Sequence, residues 1–148
     1  MKTCKEVMTA NPTCCTPDET VTRIAKLMKT ENVGSIPICE NRDSKKLIGI
    51  VTDRDLAIQV VAAAKDPHTV KASDIMTGNP ITCRPDDDLQ TALEAMERRQ
   101  IRRIPVTDQS GHLVGIIAQA DIARRLDRPE QIAEVVAEVS KPSTVGAG

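Results

Sequence analysis

"VGSIPICENRDSKKLIGIVTDRD" (Val33 to Asp55) and "IRRIPVTDQSGHLVGIIAQAD" (Ile101 to Asp121) are two versions of one pattern. Working outward from them, Met8-Thr9 matches Met76-Thr77, Pro12 matches Pro80, Pro17 matches Pro85, Asp18 matches Asp86, Met28 matches Met96 and Pro37 matches Pro105, at a constant offset of 68. The offset drops to 66 for Gly49 with Gly115 and Asp55 with Asp121. The first copy therefore carries a loop two residues longer, at the polar, turn-forming "NRDSKK", where an insertion costs least. Repetition on this scale decides the architecture before any local reading does.

Each copy reads as a short extended piece, a helix, two strands around a polar turn, and a second helix. Val21, Ile24, Ala25 and Met28 recur at helical spacing, as do Leu89, Ala92, Leu93 and Met96, with Asp18 and Asp86 as the expected caps. Strands are predicted over 35–39 and 47–51 with a helix over 53–63, then over 103–107 and 113–118 with a helix from Asp121. The link at 71–75 is expected to hold a short turn capped by Ser73. The order is β-α-β-β-α twice, an α/β (α+β) fold. One unit of about 60 residues leaves a sheet face bare, so two are expected to pack sheet to sheet about a pseudo-twofold axis. The predicted divisions are 1–70, 71–128, and a C-terminal helix and tail over 129–148, whose Ile132, Val135, Val136 and Val139 share one face.

Composition narrows the function classes. With 148 residues, 40% hydrophobic and 28% charged, the chain can bury a core. A net charge of −1 supplies no general field for nucleic acid or anionic membrane, so neither is expected as a partner. No apolar run approaches the roughly 18 residues that span a bilayer, and the cytoplasm is the expected location. Five cysteines without a Cys-x-x-Cys pair indicate neither a disulfide framework nor a zinc-finger site. Phe, Tyr and Trp are absent, so the core must be aliphatic and no aromatic ring can stack on a ligand.

The ordered set "VMTANP", "GSIPI", "LIGIVTDRDL", then "IMTGNPIT", "IRRIPV", "LVGIIAQADI" resembles a tandem pair of cystathionine-β-synthase (CBS) domains, or Bateman module, over about residues 7–126. Within that family the chain is similar to small stand-alone bacterial CBS-pair proteins, some linked to stress or dormancy. The resemblance implies a regulatory module that binds an adenosine nucleotide in clefts between the repeats. AMP leads, with ADP, ATP, NAD and S-adenosylmethionine open. It also implies a homodimer and a downstream protein that the motifs do not identify.

In "GIVTDRD", Thr52 stands where a strand turns into a helix whose first turn holds Asp55. A hydroxyl, helix-end N–H groups and a carboxylate that can accept both hydroxyls of a ribose meet there. Thr-x-x-Asp is equally close to a capping box, in which the two residues bond each other's backbone, and the two readings are compatible. In the second copy Ala118 replaces Thr52 while Asp121 is kept, and Arg102 and Arg103 replace Gly34 and Ser35. The resemblance implies that Arg102 and Arg103 serve the nucleotide held by Thr52 and Asp55, leaving Asp121 with Gly34 and Ser35 as a weaker site. A guanidinium suits phosphate because its planar fork donates two parallel bonds. The alternative is a solvated pair or a salt bridge to Asp53 or Asp108, and strand alternation lets only one of the two arginines face the ligand. The base is expected between aliphatic side chains, against backbone near Ile36, Pro37 and Ile38 or near Ile104 and Pro105.

Cys14 or Cys15 with Cys39 forms a candidate disulfide, if their segments are parallel neighbours, against the alternative of buried thiols acting as small hydrophobes. This carries a second function class, a ligand-independent stress or redox protein. His68 and His112 are isolated, and no metal site is expected. "TDRD" brings no nucleophile, base and orienter together, so no catalytic residues are expected and the chain reads as a non-enzyme.

Overall fold

The computed structural model of the chain describes residues 2–125. Its elements in order are α1 (Cys4–Val7), β1 (Thr9–Ala10), α2 (Val21–Glu31), β2 (Ser35–Cys39), β3 (Leu47–Thr52), α3 (Asp53–Leu56) running on into a π-helical turn (Ala57–Val61), α4 (Ala72–Ile75), β4 (Thr77–Gly78), α5 (Leu89–Arg99), β5 (Arg103–Thr107), β6 (Leu113–Ala118) and α6 (Gln119–Arg125). The helix expected beyond residue 128 lies outside the described residues. Mixed helix and strand with two small sheets is the α+β class that the repeats imply.

Each sheet has three antiparallel strands, ordered β2-β3-β4 in one and β1-β6-β5 in the other. Among the described residues, 13–80 form one compact unit, and 2–12 with 81–125 form the other. The sequence copies and the compact units are thus different divisions of the chain. Each unit completes one copy's helix and strands with the opening helix and strand of the other copy. The backbone bonds that do this repeat residue for residue: Cys4 N donates to Asp87 O (2.9 Å), Lys5 N to Pro85 O (2.9 Å) and Leu89 N to Lys2 O (2.9 Å). Their counterparts are Ala72 N to Glu19 O (2.9 Å), Ser73 N to Pro17 O (3.0 Å) and Val21 N to Val70 O (2.9 Å).

The repeated methionine and glycine are explained by the same exchange. A Cβ on Gly49 would sit 2.7 Å from Met76 Sδ, and one on Gly115 would collide with Met8 Sδ. Each glycine is the bare spot on a central strand over which the methionine of the incoming segment lies.

The cores are aliphatic. Val21, Ile24, Met28, Ile36, Ile38, Val51 and Ile75 gather in the 13–80 unit; Val7, Leu89, Leu93, Met96, Ile104, Val106, Ile117 and Ile122 gather in the other. Full burial of one such side chain contributes about 1.5 to 3 kcal/mol.

Several local expectations are corrected. The caps of the long helices come two residues later than expected: Thr20 Oγ1 accepts from Arg23 N (3.4 Å) and Asp88 Oδ1 from Gln90 N (3.2 Å). Asp18 is used in the preceding turn, where it takes the Thr16 hydroxyl (2.6 Å). Ser73 does not cap the link; it lies inside α4, and Lys71 N is held by Asp74 (2.9 Å). Ala25 is exposed rather than core. The helix expected over 53–63 is one α-turn followed by a π-turn that ends at Val61, where Ala62 N bonds Ala57 O (2.8 Å).

Candidate functional site

In the 13–80 unit, Thr52 ends β3 and caps α3. Thr52 N donates to Asp55 Oδ2 (2.8 Å), and Asp55 N donates to Thr52 Oγ1 (3.2 Å). The capping box is therefore real, and it does not exhaust the donors and acceptors. Thr52 Oγ1 receives a bond there and still has its own proton to give. A carboxylate has about four lone-pair sites; Asp55 accepts from Thr52 N and, at Oδ1, from Gln59 Nε2 (3.4 Å). Gln59 Nε2 also bonds Ile75 O (3.2 Å), which ties the carboxylate to α4. Sequence reading missed Gln59, although its i,i+4 spacing from Asp55 is a recognisable helical pair.

The ladder register sorts the remaining residues by face, because directly opposed residues share one. Val51 opposes Ile36 and Gly49 opposes Ile38, on the face whose Ile36, Ile38 and Val51 are packed into the helix-covered core. Thr52 opposes Ser35 and Ile50 opposes Pro37 on the other face. Ser35 is 7% exposed, and its hydroxyl has no hydrogen-bond partner among the described residues. Two hydroxyls, from Thr52 and Ser35, thus share a strand end and a face. Ile36 and Ile38 meet that face through backbone alone, and the Pro37 carbonyl is taken by Cys15 N (3.0 Å).

The other unit builds the same frame with different chemistry. Ala118 N donates to Asp121 Oδ2 (3.0 Å), the half of the box that needs no hydroxyl. Arg103 opposes Ala118, and Pro105 opposes Ile116. Ile104 is fully buried in its core, and the Pro105 carbonyl accepts from Cys83 N (3.1 Å). Arg103 is half-buried on the face that corresponds to Ser35, whereas Arg102 is exposed ahead of the strand, where its carbonyl accepts from Gln119 N (2.9 Å). Within their unit neither arginine forms an ion pair with a described residue: Asp108, one acid considered for them, accepts instead from the backbone of Ser110 and His112 (2.9 Å each). Gly34 takes the place of Arg102 in the 13–80 unit, and its carbonyl accepts from Asp53 N (2.9 Å). A Cβ there would meet Asp53 Oδ2 at 3.1 Å, so a side chain would crowd that carboxylate.

Among the cysteines, Cys15 forms the expected parallel bridge with Ile38. Its thiol is pushed up to about 12 by burial and the Glu19 carboxylate. Cys14 is the one whose sulfur meets Cys39: a hydrogen bond from the Cys39 thiol brings Cys14 down to about 7, and the same bond pushes Cys39 up. All five thiols are free. His68 and His112 each sit against the aspartate of a surface turn (Asp66 at 3.2 Å, Asp108 at 3.3 Å), and no group of three His, Cys, Asp or Glu converges among the described residues. No described helix is long and apolar enough to cross a membrane.

Comparison with known proteins agrees with this frame. The CBS domain model matches residues 4–61 and 72–128. Hypoxic response protein 1 of Mycobacterium tuberculosis is 36% identical over 148 residues, covering 99% of this chain and 100% of that protein. A crystal structure of Hypoxic Response Protein I with two coordinated zinc ions superposes with a TM-score of 0.76 at 38% identity, covering 84% of this chain and 99% of that one. CBSX2 in complex with AMP gives a TM-score of 0.71 at 26% identity, with 84% and 95% coverage. The CBS domain pair of protein MJ0100, in complex with 5-methylthioadenosine and S-adenosyl-L-methionine, gives 0.73 at 27% identity, with 84% and 94% coverage.

Proposed function

The chain belongs to the CBS-domain family, and from that premise we propose that it is a regulatory, non-catalytic protein that binds an adenosine nucleotide, AMP foremost, and signals by a change of conformation or partner. Thr52 donates to a phosphate or ribose oxygen, and Asp55 accepts the ribose hydroxyls. Ser35, with its unpartnered hydroxyl beside Thr52, adds a polar contact. The observation that carries the reading is the Thr52–Asp55 box, which closes structurally and keeps a hydroxyl proton and carboxylate lone pairs for a ligand. The AMP complex of CBSX2 and the methylthioadenosine and S-adenosylmethionine complex of MJ0100 support the ligand class. A ligand shifts such an equilibrium only by its differential affinity for the two states. The protein works as a homodimer, and its effector is a separate protein.

Thermal unfolding followed by circular dichroism, against AMP, ADP, ATP, NAD and S-adenosylmethionine, tests this. A ligand at roughly 100 times its dissociation constant adds about 2.7 kcal/mol, a rise of about 5 to 10 °C for a chain of this size. The rise should vanish in Asp55→Ala. No rise with any of the five overturns the reading.

The meeting of Cys14 with Cys39 favours a second reading, in which oxidation of that pair is the signal and no nucleotide is needed. Thiol trapping with intact-mass measurement after mild oxidation decides it. A chain that keeps both thiols ends this reading.

A further inference from the structure

The repeated Met-Thr pair, Met8-Thr9 and Met76-Thr77, has no role in the nucleotide reading. Its methionines differ from the others among the described residues. Met28 and Met96 lie inside the cores at 8% and 0% exposure, closed to a reagent in solution. Met8 and Met76 are partly exposed, and each also packs against the core cluster of its own unit. Both side chains therefore stand at a border, apolar on one side and wet on the other.

The sulfur is the part that meets the strand. A Cβ on Gly49 would lie 2.7 Å from Met76 Sδ and 3.0 Å from Met76 Cγ, while one on Gly115 would overlap Met8 Sδ and lie 2.8 Å from Met8 Cγ. Each thioether thus fills the volume that a side chain on a buried glycine would have taken. The strand that follows each methionine is two residues long and exposed. Thr9 pairs with Ile116 and Ala10 with Gly115 in one unit, Thr77 with Ile50 and Gly78 with Gly49 in the other. The methionine is the nearest apolar anchor of that short edge.

We propose that Met8 and Met76 are a matched pair of peroxide-modifiable sites, whose reversible conversion to sulfoxide loosens each edge strand from the glycine strand it lies against. The Sδ lone pair attacks one oxygen of hydrogen peroxide, the O–O bond breaks, the S–O bond forms, and the second oxygen leaves as water. The sulfide loses two electrons and the peroxide gains them. A methionine sulfoxide reductase reverses the step, its thiol pair becoming a disulfide as the oxygen leaves as water. Oxidation makes a flexible apolar side chain polar. The new oxygen needs room and a hydrogen-bond donor where the sulfur already fills the place of an absent Cβ, and burying it without a partner is unfavourable. Turning the side chain out to water satisfies the oxygen and gives up the contact with glycine and core.

The test exposes the full chain to hydrogen peroxide, then to dithiothreitol to return oxidised thiols, and follows each methionine by peptide mapping. Met8 and Met76 should oxidise at least about tenfold faster than Met28 and Met96, the order that exposure sets. The doubly oxidised chain should unfold about 5 °C below the untreated one. The Asn11 amide, which donates to Val114 O (3.2 Å) just beyond β1, should exchange about tenfold faster. Methionine sulfoxide reductase should restore both readings. A Met8→Leu, Met76→Leu chain should lose the response to peroxide, which separates these two sulfurs from Met1 and from the thiols. Equal oxidation of all four described methionines, sulfoxide at Met8 and Met76 with unfolding and exchange unchanged, or the same loss in the leucine variant would each overturn the proposal. If that variant folds poorly, the reductase arm on the unsubstituted chain decides alone: an unfolding temperature that the enzyme does not recover overturns it.

Discussion

Thr52 with Asp55 and Ala118 with Asp121 occupy equivalent ends of equivalent strands, yet only the first pair makes a closed capping box. Asp121 keeps its backbone bond from Ala118 N, so the second helix start is anchored without a hydroxyl. The Thr52 hydroxyl closes a box that the second copy leaves half made. The same holds one strand over, where Ser35 and Arg103 stand at matching positions and differ in charge. Two copies of one frame act as each other's controls: what both retain builds the fold, and what differs marks the positions at which to test the proposed ligand contacts.

The widest expected difference is chemical. Thr82 stands where Cys14 does, so the second copy has no counterpart to the Cys14 thiol. Because Cys14 is lowered to about 7, its thiolate accumulates as pH rises through that value, and alkylation should climb through neutral pH and level off above it. Cys15, raised to about 12, should stay unlabelled over the same range. Site-resolved labelling against pH reads both; equal labelling of the neighbours would break the distinction.

An effect of about tenfold is expected from exchanging the hydroxyl. Thr52→Ala should weaken nucleotide binding by about that factor, the scale of one hydrogen bond to a charged group, whereas Thr52→Ser should retain it. Ala118→Thr should complete the second box and bring a second, weaker binding event into a calorimetric titration. An unchanged isotherm would show that the hydroxyl is not what separates the copies.

The smallest effects concern the helix starts, where the copies should agree. Thr20→Ala and Asp88→Ala should each cost about 1 kcal/mol in denaturant unfolding. Asp18→Ala and Asp86→Ala should stay within about 0.5 kcal/mol, since the caps lie two residues further on. A reversal would restore the capping pattern expected from sequence.

How much could be read in advance depended on the range of the interaction. The strands at Ser35 to Cys39 and Arg103 to Thr107 and the helical faces of Val21, Ile24 and Met28 follow from local apolar periodicity. The motif positions Thr52, Asp55 and Asp121 were equally legible. The caps were misplaced because Asp18 and Thr20 compete within one turn, and the Thr16 hydroxyl decides between them through a 2.6 Å bond. That Ser35 stands directly across from Thr52 is a matter of ladder register, which the sequence reading did not reach. Cys14 and Cys15 were interchangeable on paper, and the side on which each sulfur emerges separates Cys39 from Glu19 as their neighbours.

Repetition, aliphatic composition and periodicity are properties of neighbouring residues, and they were enough to establish two α+β copies and the chemical asymmetry between them. Which copy's opening segment completes which sheet and why Gly49 and Gly115 must be bare were decided by the packed fold. These contacts join residues tens of positions apart, and a chain's local preferences are silent about partners that only loop closure brings together.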